Sequence, residues 1–227
     1  MRLSVVMPVY NEINTIHEII RRVQQVDIEK ELIIVDDYST DGTRDYLRQV
    51  QDENIHVLLH ERNQGKGAAL QTGFQHVSGD IVVIQDADLE YNPEEYHLLI
   101  KPILDNRADV VYGSRFLTGA ERRVLFFWHY MGNKFLTFLS NMVTDLNLSD
   151  METCYKMFRA EILKTISIEQ KRFGFEPEFT VKVAKHKYRI YEVGISYCGR
   201  DYSEGKKIGW KDGFNVLWCL TKYKLFS

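Results

Sequence analysis

The sequence contains few cysteines and no long apolar run, and each shortage excludes a class of protein. Its three cysteines, Cys154, Cys198 and Cys219, are widely spaced and form no CxxC pair. This spacing indicates a reducing compartment and argues against a cysteine zinc site. The N-terminus lacks the basic and apolar segments of a signal peptide, and no stretch of about 18 apolar residues occurs. We therefore expect a cytoplasmic protein without a membrane-spanning helix of its own.

The overall composition is that of an ordinary globular domain. Of 227 residues, 44% are hydrophobic and 27% are charged, which is enough for one substantial core. The net charge of −3 hides an asymmetry, because residues 182–227 carry ten Lys or Arg against four Asp or Glu. Such a basic region suits phosphates or an anionic membrane surface, although a solvated helix face is the commoner explanation.

Short apolar runs alternate with helical patterns along the first half of the chain. This alternation predicts an α/β fold, with a mostly parallel sheet flanked by helices and ligands beyond the carboxyl ends of the strands. Aromatic-rich helical patterns in the second half predict amphipathic elements, namely a helix pair within 122–143 and a C-terminal helix. The predicted strands of the first half are 3–7, 31–35, 55–59, 81–84 and 109–114.

Three acidic residues crowd the end of the apolar run 81–84. Asp86 and Asp88 point to the same side of an extended chain, and Glu90 follows them. Their repulsion must be offset by a cation, and all-oxygen ligands suit Mg²⁺ or Mn²⁺. The alternative is a polar turn that caps the next helix, because residues 92–95 carry an N-cap pattern. Both interpretations stay open on this motif alone.

Polar residues also follow the second and third predicted strands. Asp37 comes after the second strand, and the segment 63–67, Asn-Gln-Gly-Lys-Gly, comes after the third. At one sheet edge, carboxylates could hold a base and ribose, while Lys66 and the N–H groups beside the glycines could hold phosphate. The sequence has no P-loop and no GxGxxG, so a Rossmann dehydrogenase is disfavoured.

An aromatic-rich segment, 122–143, combines apolar rings with flanking cations. Arg122, Arg123 and Lys134 accompany a run of Phe, Trp, Tyr, Met and Leu. This composition is typical of a helix lying in the plane of a membrane surface, with its cations on lipid phosphates. A core-packing helix or a dimer face explains it equally well.

Several motifs, taken in order, carry a resemblance to a known family. They are V-V-M-P-V-Y-N-E, I-V-D-D-Y-S-T-D-G-T, N-Q-G-K-G-A-A-L, Q-D-A-D-L-E and G-S-R-F. Together they resemble glycosyltransferase family 2 with the GT-A fold. The later segments, D-M-E-T-C-Y-K-M-F, F-G-F-E-P-E and G-R-D-Y-S-E-G-K-K-I-G-W-K-D-G, resemble its polyprenyl-phosphate branch, the dolichol-phosphate mannosyltransferase-like enzymes. One departure is Tyr38, at a position where glycine is common in this family.

The resemblance implies a role for individual residues. The donor nucleotide-sugar would contact Pro8, Tyr10, Glu12, Asp37, Lys66, Asp86, Arg200 and Lys206. A divalent metal, Mg²⁺ or Mn²⁺, would be held by Asp86, Asp88 and Glu90. The acceptor phosphate would meet Arg115, Arg122 and Arg123. Asp88, Arg200 and Asp150 would be the catalytic residues, with Asp150 either a base or acceptor-positioning group or simply the cap of a turn.

The resemblance also implies a reaction. We expect one domain, 1–227, whose nucleotide-sugar-binding half is 1–115 and whose acceptor-binding half is 116–227. It would be a metal-dependent, inverting hexosyltransferase that moves a sugar from GDP-mannose or a UDP-sugar to a polyprenyl phosphate. The alternatives are transfer to a sugar hydroxyl, a nucleotidyltransferase, and a non-catalytic nucleotide-sugar-binding subunit.

The expected partners follow from that reaction. We expect peripheral contact with the cytoplasmic face of a membrane and no nucleic-acid partner. Many relatives carry C-terminal transmembrane helices, and we expect a membrane-protein partner to replace them here.

Overall fold

The computed structural model describes residues 1–117, 123–124, 126–172, 174–200, 216 and 218–224. Its seven strands are β1 (Leu3–Val9), β2 (Lys30–Asp36), β3 (Ile55–Leu59), β4 (Ile81–Ile84), β5 (Val110–Ser114), β6 (Lys156–Arg159) and β7 (Ile190–Gly194). They form one sheet in the order β3-β2-β1-β4-β6-β5-β7. Most neighbouring pairs are parallel, and only β6 runs antiparallel, to both β4 and β5. The predicted α/β architecture is confirmed.

Helices flank this sheet. They are α1 (Ile16–Gln25), α2 (Thr43–Leu47), α3 (Lys66–Phe74), α4 (Tyr96–Leu104), α5 (Phe127–Thr144) and α6 (Phe175–Lys185). Short 3₁₀ turns cover Pro93–Glu95 and Ala160–Lys164. In the second half, residues 126–150 contain one helix, α5, so the predicted helix pair was wrong there. The described residues of the predicted C-terminal helix, 216 and 218–224, are helical.

The strands at the centre of the sheet, β1, β2 and β4, consist of apolar runs that are buried on both faces. Val5, Ile33 and Val83, in three neighbouring strands, are all completely inaccessible to water. β-Branched side chains of this kind favour extended backbone and suit a sheet covered on both sides. Helix α1 covers part of one face of the sheet with buried apolar residues at helical spacing, which are Ile16, Ile19, Ile20 and Val23.

The direction of β6 decides what reaches the functional edge of the sheet. Because β6 is antiparallel to β4 and β5, it begins where those two strands end. The turn 150–155 before β6 therefore lies at the same edge as the loops after β1, β2, β4 and β5. In open α/β sheets this carboxyl edge is where ligands bind.

Candidate active site

A lysine joins two carboxylates at the end of β4. Lys66, the first residue of α3, has its ammonium 3.0 Å from Asp86 and 3.2 Å from Glu176, the second residue of α6. Burial alone would lower the pKa of Lys66, but Asp86 and Glu176 raise that pKa well above its usual range. Lys66 is therefore a permanent cation at this edge, and it brings together the starts of α3 and α6 and the end of β4.

An arginine that follows β7 joins three other carboxylates. The Arg200 guanidinium lies 3.1 Å from Glu12, 3.0 Å from Asp88 and 3.7 Å from Glu90. Glu90 also accepts hydrogen bonds from the Arg200 backbone N–H, at 2.7 Å, and from the Tyr197 hydroxyl, at 2.8 Å. The segment 197–200 is thus held across the loop that follows β4.

Negative charge exceeds positive charge in this cluster. Its carboxylates belong to Glu12, Asp86, Asp88, Glu90 and Glu176, and its cations are Lys66 and Arg200. Burial, followed by the charges of Asp86 and Glu90, raises the pKa of Asp88, although Arg200 opposes the shift. The surplus consists of hard oxygen donors, and such a donor set fits a divalent cation such as Mg²⁺ or Mn²⁺.

The three predicted metal ligands are not arranged around one point. Within the described ranges, no group of three or more His, Cys, Asp or Glu side chains is close enough to hold a metal ion. Asp86 is turned to Lys66, whereas Asp88 and Glu90 are turned to Arg200. The cations that offset these carboxylates are therefore side chains, and a metal held by Asp86, Asp88 and Glu90 stays a prediction.

Asp37, predicted to contact the base or ribose, organises the neighbouring loop. Its carboxylate is buried and accepts hydrogen bonds from the N–H groups of Gln64, at 2.8 Å, and Gly65, at 2.6 Å. His60 Nδ1 lies 2.8 Å away, and since a carboxylate only accepts, this nitrogen carries the proton. The contact of Asp37 with a nucleotide stays a prediction.

Two backbone N–H groups of the glycine loop are already bound within the protein. The Gly65 N–H is bound by Asp37, and the Ala68 N–H donates to the Lys171 carbonyl at 3.0 Å. Gly67 has no room for a side chain, because the Gln170 carbonyl lies against it. The segment therefore packs against residues 170–172, and the expectation that its N–H groups near the glycines hold phosphate was wrong for Gly65 and Ala68.

Asp150, the candidate base, is buried in an ion pair with a predicted acceptor residue. Arg115 Nε and Nη2 donate to its two oxygens at 2.7 and 2.8 Å, and the Arg115 backbone N–H donates at 3.0 Å. Burial would lower the pKa of Arg115, but Asp150 raises it well above its usual range. Arg115 and Asp150 therefore form a fixed ion pair at the end of β5. The acceptor-binding role of Arg115 and the catalytic role of Asp150 stay predictions.

Of the remaining predicted site residues, some lie at the carboxyl edge of the sheet and others lie outside the described ranges. Pro8 lies within β1, and Tyr10, just beyond it, is 39% exposed. Arg123 donates from its backbone to the Tyr197 carbonyl at 2.8 Å and from its side chain to the Gly199 carbonyl at 3.1 Å. Arg122 and Lys206 lie outside the described residues.

Sequence reasoning missed two residues that support the site. Glu192, in β7, accepts hydrogen bonds from the N–H groups of Ser149, at 2.9 Å, and Asp150, at 3.2 Å. The Tyr197 hydroxyl donates a hydrogen bond to Glu90. Glu192 and Tyr197 each lie more than 40 residues along the chain from the residue that they contact. A lone acid within a strand pattern was the only signal that the sequence carried for Glu192.

Among the described residues, no helix is both long enough and apolar enough to cross a bilayer. Helix α5 nevertheless leaves a row of large apolar side chains in water, with Trp128 80% exposed. The other exposed members of this row are Phe127, Met131, Phe135, Phe138 and Met142. We call these six residues the α5 apolar face.

An open sheet with an acidic cluster at its carboxyl edge defines the class as α/β proteins that bind ligands at that edge, and comparison with known proteins identifies the family. The family profile "Glycosyl transferase family 2" matches residues 4–167. The chain belongs to this family, and the resemblance seen in the sequence is confirmed.

Two relatives match nearly the whole chain. An undecaprenyl-phosphate mannosyltransferase from Micrococcus luteus is 31% identical over 221 residues, which cover 92% of this chain and 88% of the relative. An uncharacterised protein from Methanocaldococcus jannaschii is 27% identical over 229 residues, covering 99% and 93%.

Solved structures with the same fold come from glucosyl-3-phosphoglycerate synthase of Mycobacterium tuberculosis. The complex with Mn²⁺, UDP and glucosyl-3-phosphoglycerate has a TM-score of 0.75 and 22% identity, covering 97% of this chain and 79% of that one. The complex with Mg²⁺ and UDP has a TM-score of 0.71 and 22% identity, covering 97% and 78%. At this identity the likeness concerns the fold, which is the GT-A glycosyltransferase fold expected from the sequence.

Proposed function

We propose that this chain transfers one sugar from GDP-mannose or a UDP-sugar to a polyprenyl phosphate, with inversion, at the cytoplasmic face of a membrane. The undecaprenyl-phosphate mannosyltransferase that matches 92% of the chain supports this acceptor class. The structural observation that carries the proposal is the α5 apolar face, because a lipid acceptor has to be met at a membrane surface.

The α5 apolar face begins beside the acidic cluster. Arg123, four residues before α5, is hydrogen-bonded to Tyr197 and Gly199, which lead directly to Arg200. Lys134 is the only Lys, Arg, Asp or Glu between residues 126 and 144, and its ammonium donates to the Ser149 carbonyl at 3.2 Å. The exposed side of α5 therefore carries no ionised side chain, which suits contact with lipid.

The residues of the cluster have distinct proposed tasks. Asp86 and Asp88 would hold Mg²⁺ or Mn²⁺ together with Glu90, and the ion would supply positive charge toward the departing nucleoside diphosphate. Arg200 lies against Asp88 and adds a second positive charge on that side. Pro8, Tyr10 and Glu12 would border the nucleotide, and Lys206 would contact the same nucleotide-sugar.

The acceptor side needs no strong base. A phosphate monoester has its second pKa near ~6 and is already an anionic nucleophile at neutral pH. Arg115 and Asp150 would position it, since their 2.7 Å ion pair fixes both side chains at the end of β5. Arg122 and Arg123 would add positive charge for the phosphate.

A turnover screen tests the proposal. UDP-glucose, UDP-N-acetylglucosamine and GDP-mannose are each paired with a short polyprenyl phosphate, with Mg²⁺ or Mn²⁺ or with EDTA, and lipid-linked sugar is measured. We expect one productive donor, loss of product in EDTA and in Asp88→Asn, and full activity in the surface variant Asp105→Asn. Transfer to 3-phosphoglycerate or a glycan, with no lipid product, would refute the lipid acceptor and favour a hydroxyl acceptor.

Vesicle binding tests the membrane contact separately. Replacing Trp128 and Phe135 together by serine should reduce sedimentation with phosphatidylglycerol vesicles. Leu98 on α4 is also 50% exposed, and the matched Leu98→Ser variant should bind vesicles normally. Equal binding by all three proteins would contradict a membrane role for the α5 apolar face.

A further inference from the structure

Glu152 lies in the turn before β6, at the carboxyl edge of the sheet. Asp150, two residues earlier, is bound to Arg115 at the end of β5. Cys154, two residues later, lies at the end of β4, where its thiol is 3.8 Å from the Ile84 carbonyl oxygen. Burial and then the charge of nearby Asp86 raise the pKa of this thiol. Glu152 is therefore located between the proposed acceptor pair and the proposed metal ligands.

One oxygen of Glu152 has no partner. Its Oε1 is shielded from water and makes no hydrogen bond to any residue that the structure describes, although the residue as a whole is partly exposed. Buried carboxyl oxygens are normally hydrogen-bonded, so an exception calls for a specific cause. A side chain that is partly exposed and carries an unsatisfied oxygen is suited to take a partner from a ligand.

The neighbouring charged groups are already committed to other partners. The Lys156 ammonium donates to the carbonyls of Met151, at 3.1 Å, and Thr153. Arg115 forms an ion pair with Asp150, and Lys66 forms ion pairs with Asp86 and Glu176. No cation in this part of the described chain is bonded to Glu152.

The surroundings of Glu152 favour a neutral hydroxyl as its missing partner. Burial, and then the nearby Glu176, raise the pKa of the Glu152 carboxyl, although Lys156 and Arg115 oppose the shift. The group therefore holds a proton more readily than an ordinary glutamate and can donate as well as accept. An anionic phosphate is disfavoured, because Glu176 and Asp150 add negative charge close by.

The order of strands indicates which part of the substrate carries the hydroxyl that Glu152 would bind. The proposed nucleoside contacts follow β1 and β2, the proposed metal ligands follow β4, and the acceptor pair follows β5. Between β4 and β5 the sheet contains only β6, whose leading turn carries Glu152. The part of the donor that joins the diphosphate to the acceptor is the transferred sugar.

We propose that Glu152 hydrogen-bonds a hydroxyl of the transferred sugar and thereby helps to select which nucleotide-sugar is used. This inference rests on the proposed glycosyltransferase function, and it concerns specificity. Glu152 would distinguish sugars that differ in the configuration of one hydroxyl, because an epimer would leave its carboxyl group unpaired.

Calorimetric binding of nucleotides separates this role from a structural one. For wild type, Glu152→Gln and Glu152→Ala, the Kd is measured for the preferred nucleotide-sugar, for its hydroxyl epimers and for the free nucleoside diphosphate. We expect Glu152→Ala to bind the nucleotide-sugar about tenfold more weakly, which is the loss of one good hydrogen bond. The Kd of the nucleoside diphosphate should stay within about twofold, because that ligand lacks the sugar.

The remaining arms keep the test decisive. The near-isosteric Glu152→Gln should fold even if Glu152→Ala does not, and it should change the ranking of epimers, whereas the exposed Glu161→Gln should change nothing. Equal weakening of the nucleoside diphosphate and the nucleotide-sugar, or unchanged epimer ranking, would overturn this inference alone. Failure of the wild-type protein to bind any nucleotide-sugar would overturn the proposed function, and the inference with it.

Discussion

Replacing Asp37 by asparagine should destabilise the protein even when no nucleotide is bound. Asp37 is 3% exposed, and its two oxygens accept from the N–H groups of Gln64 and Gly65 and from His60. Asparagine has nearly the same shape, but it replaces one accepting oxygen by a donating NH₂ group. One of the three donors must then face another donor.

The magnitude follows from the bonds that change. A hydrogen bond to a charged group contributes about 1.5–3 kcal/mol, and a neutral one contributes about 1 kcal/mol. Asp37→Asn loses one charge-assisted bond and turns the other two into weaker, neutral ones, so we expect the free energy of unfolding to fall by at least about 3 kcal/mol. The matched variant Asp45→Asn breaks only a surface pair with Arg48, where Asp45 is 75% exposed, and it should cost under about 0.5 kcal/mol.

Urea unfolding without ligand measures both values. Amide hydrogen exchange adds a local test, since the Gln64 and Gly65 N–H groups should exchange faster in Asp37→Asn than in wild type. A loss of under about 1 kcal/mol, or unchanged exchange at these two amides, would refute the anchoring role of Asp37.

Two further predictions concern charge. Burial alone would raise the pKa of Glu31, but hydrogen bonds from Ser4 and Ser78 lower it below its usual value. Stability from Glu31 is therefore present above the unfolded pKa of about 4.3 and is lost as pH falls through the folded value. Wild type should lose more unfolding free energy than Glu31→Gln between about pH 5 and 3, and parallel urea-unfolding curves would contradict this. Arg200→Ala should gain more in Tm from Mn²⁺ than wild type, because a cation is then missing beside Asp88 and Glu90; equal Tm shifts would disprove it.

Strands of the first half of the chain could be predicted because their pattern is local. The bounds of β3 and β4 match the predicted ranges, since short apolar, β-branched runs between polar turns have few other conformations. The acids that follow β4 were also placed correctly at the sheet edge, because parallel strands all end on the same side. Family membership rested on several such motifs in a fixed order.

The partners of the edge residues could not be predicted, because they come from distant parts of the chain. Arg200 meets Glu12 across 188 residues, and Gly67 is packed by the carbonyl of Gln170. Without such contacts, the sequence could not show that Asp37 binds the N–H groups of Gln64 and Gly65. The same limitation hid Glu152, whose significance is the lack of a partner and is visible only once the neighbouring residues are in place.

Six non-glycine residues of the described chain have positive φ, and three of them end helices. Asn106, Asp145 and Lys187 have positive φ at the ends of α4, α5 and α6, where left-handed residues are ordinary helix caps.

Three other non-glycine residues with positive φ end no helix. Asn11, Tyr38 and Leu89, with φ of 53°, 68° and 63°, follow β1, β2 and β4. A left-handed conformation costs a residue with a side chain roughly 1–2 kcal/mol, and at Tyr38 glycine would avoid that cost. Because this strain is concentrated beside Glu12, Asp37 and Asp88, we infer that the edge is shaped for binding at some expense of stability.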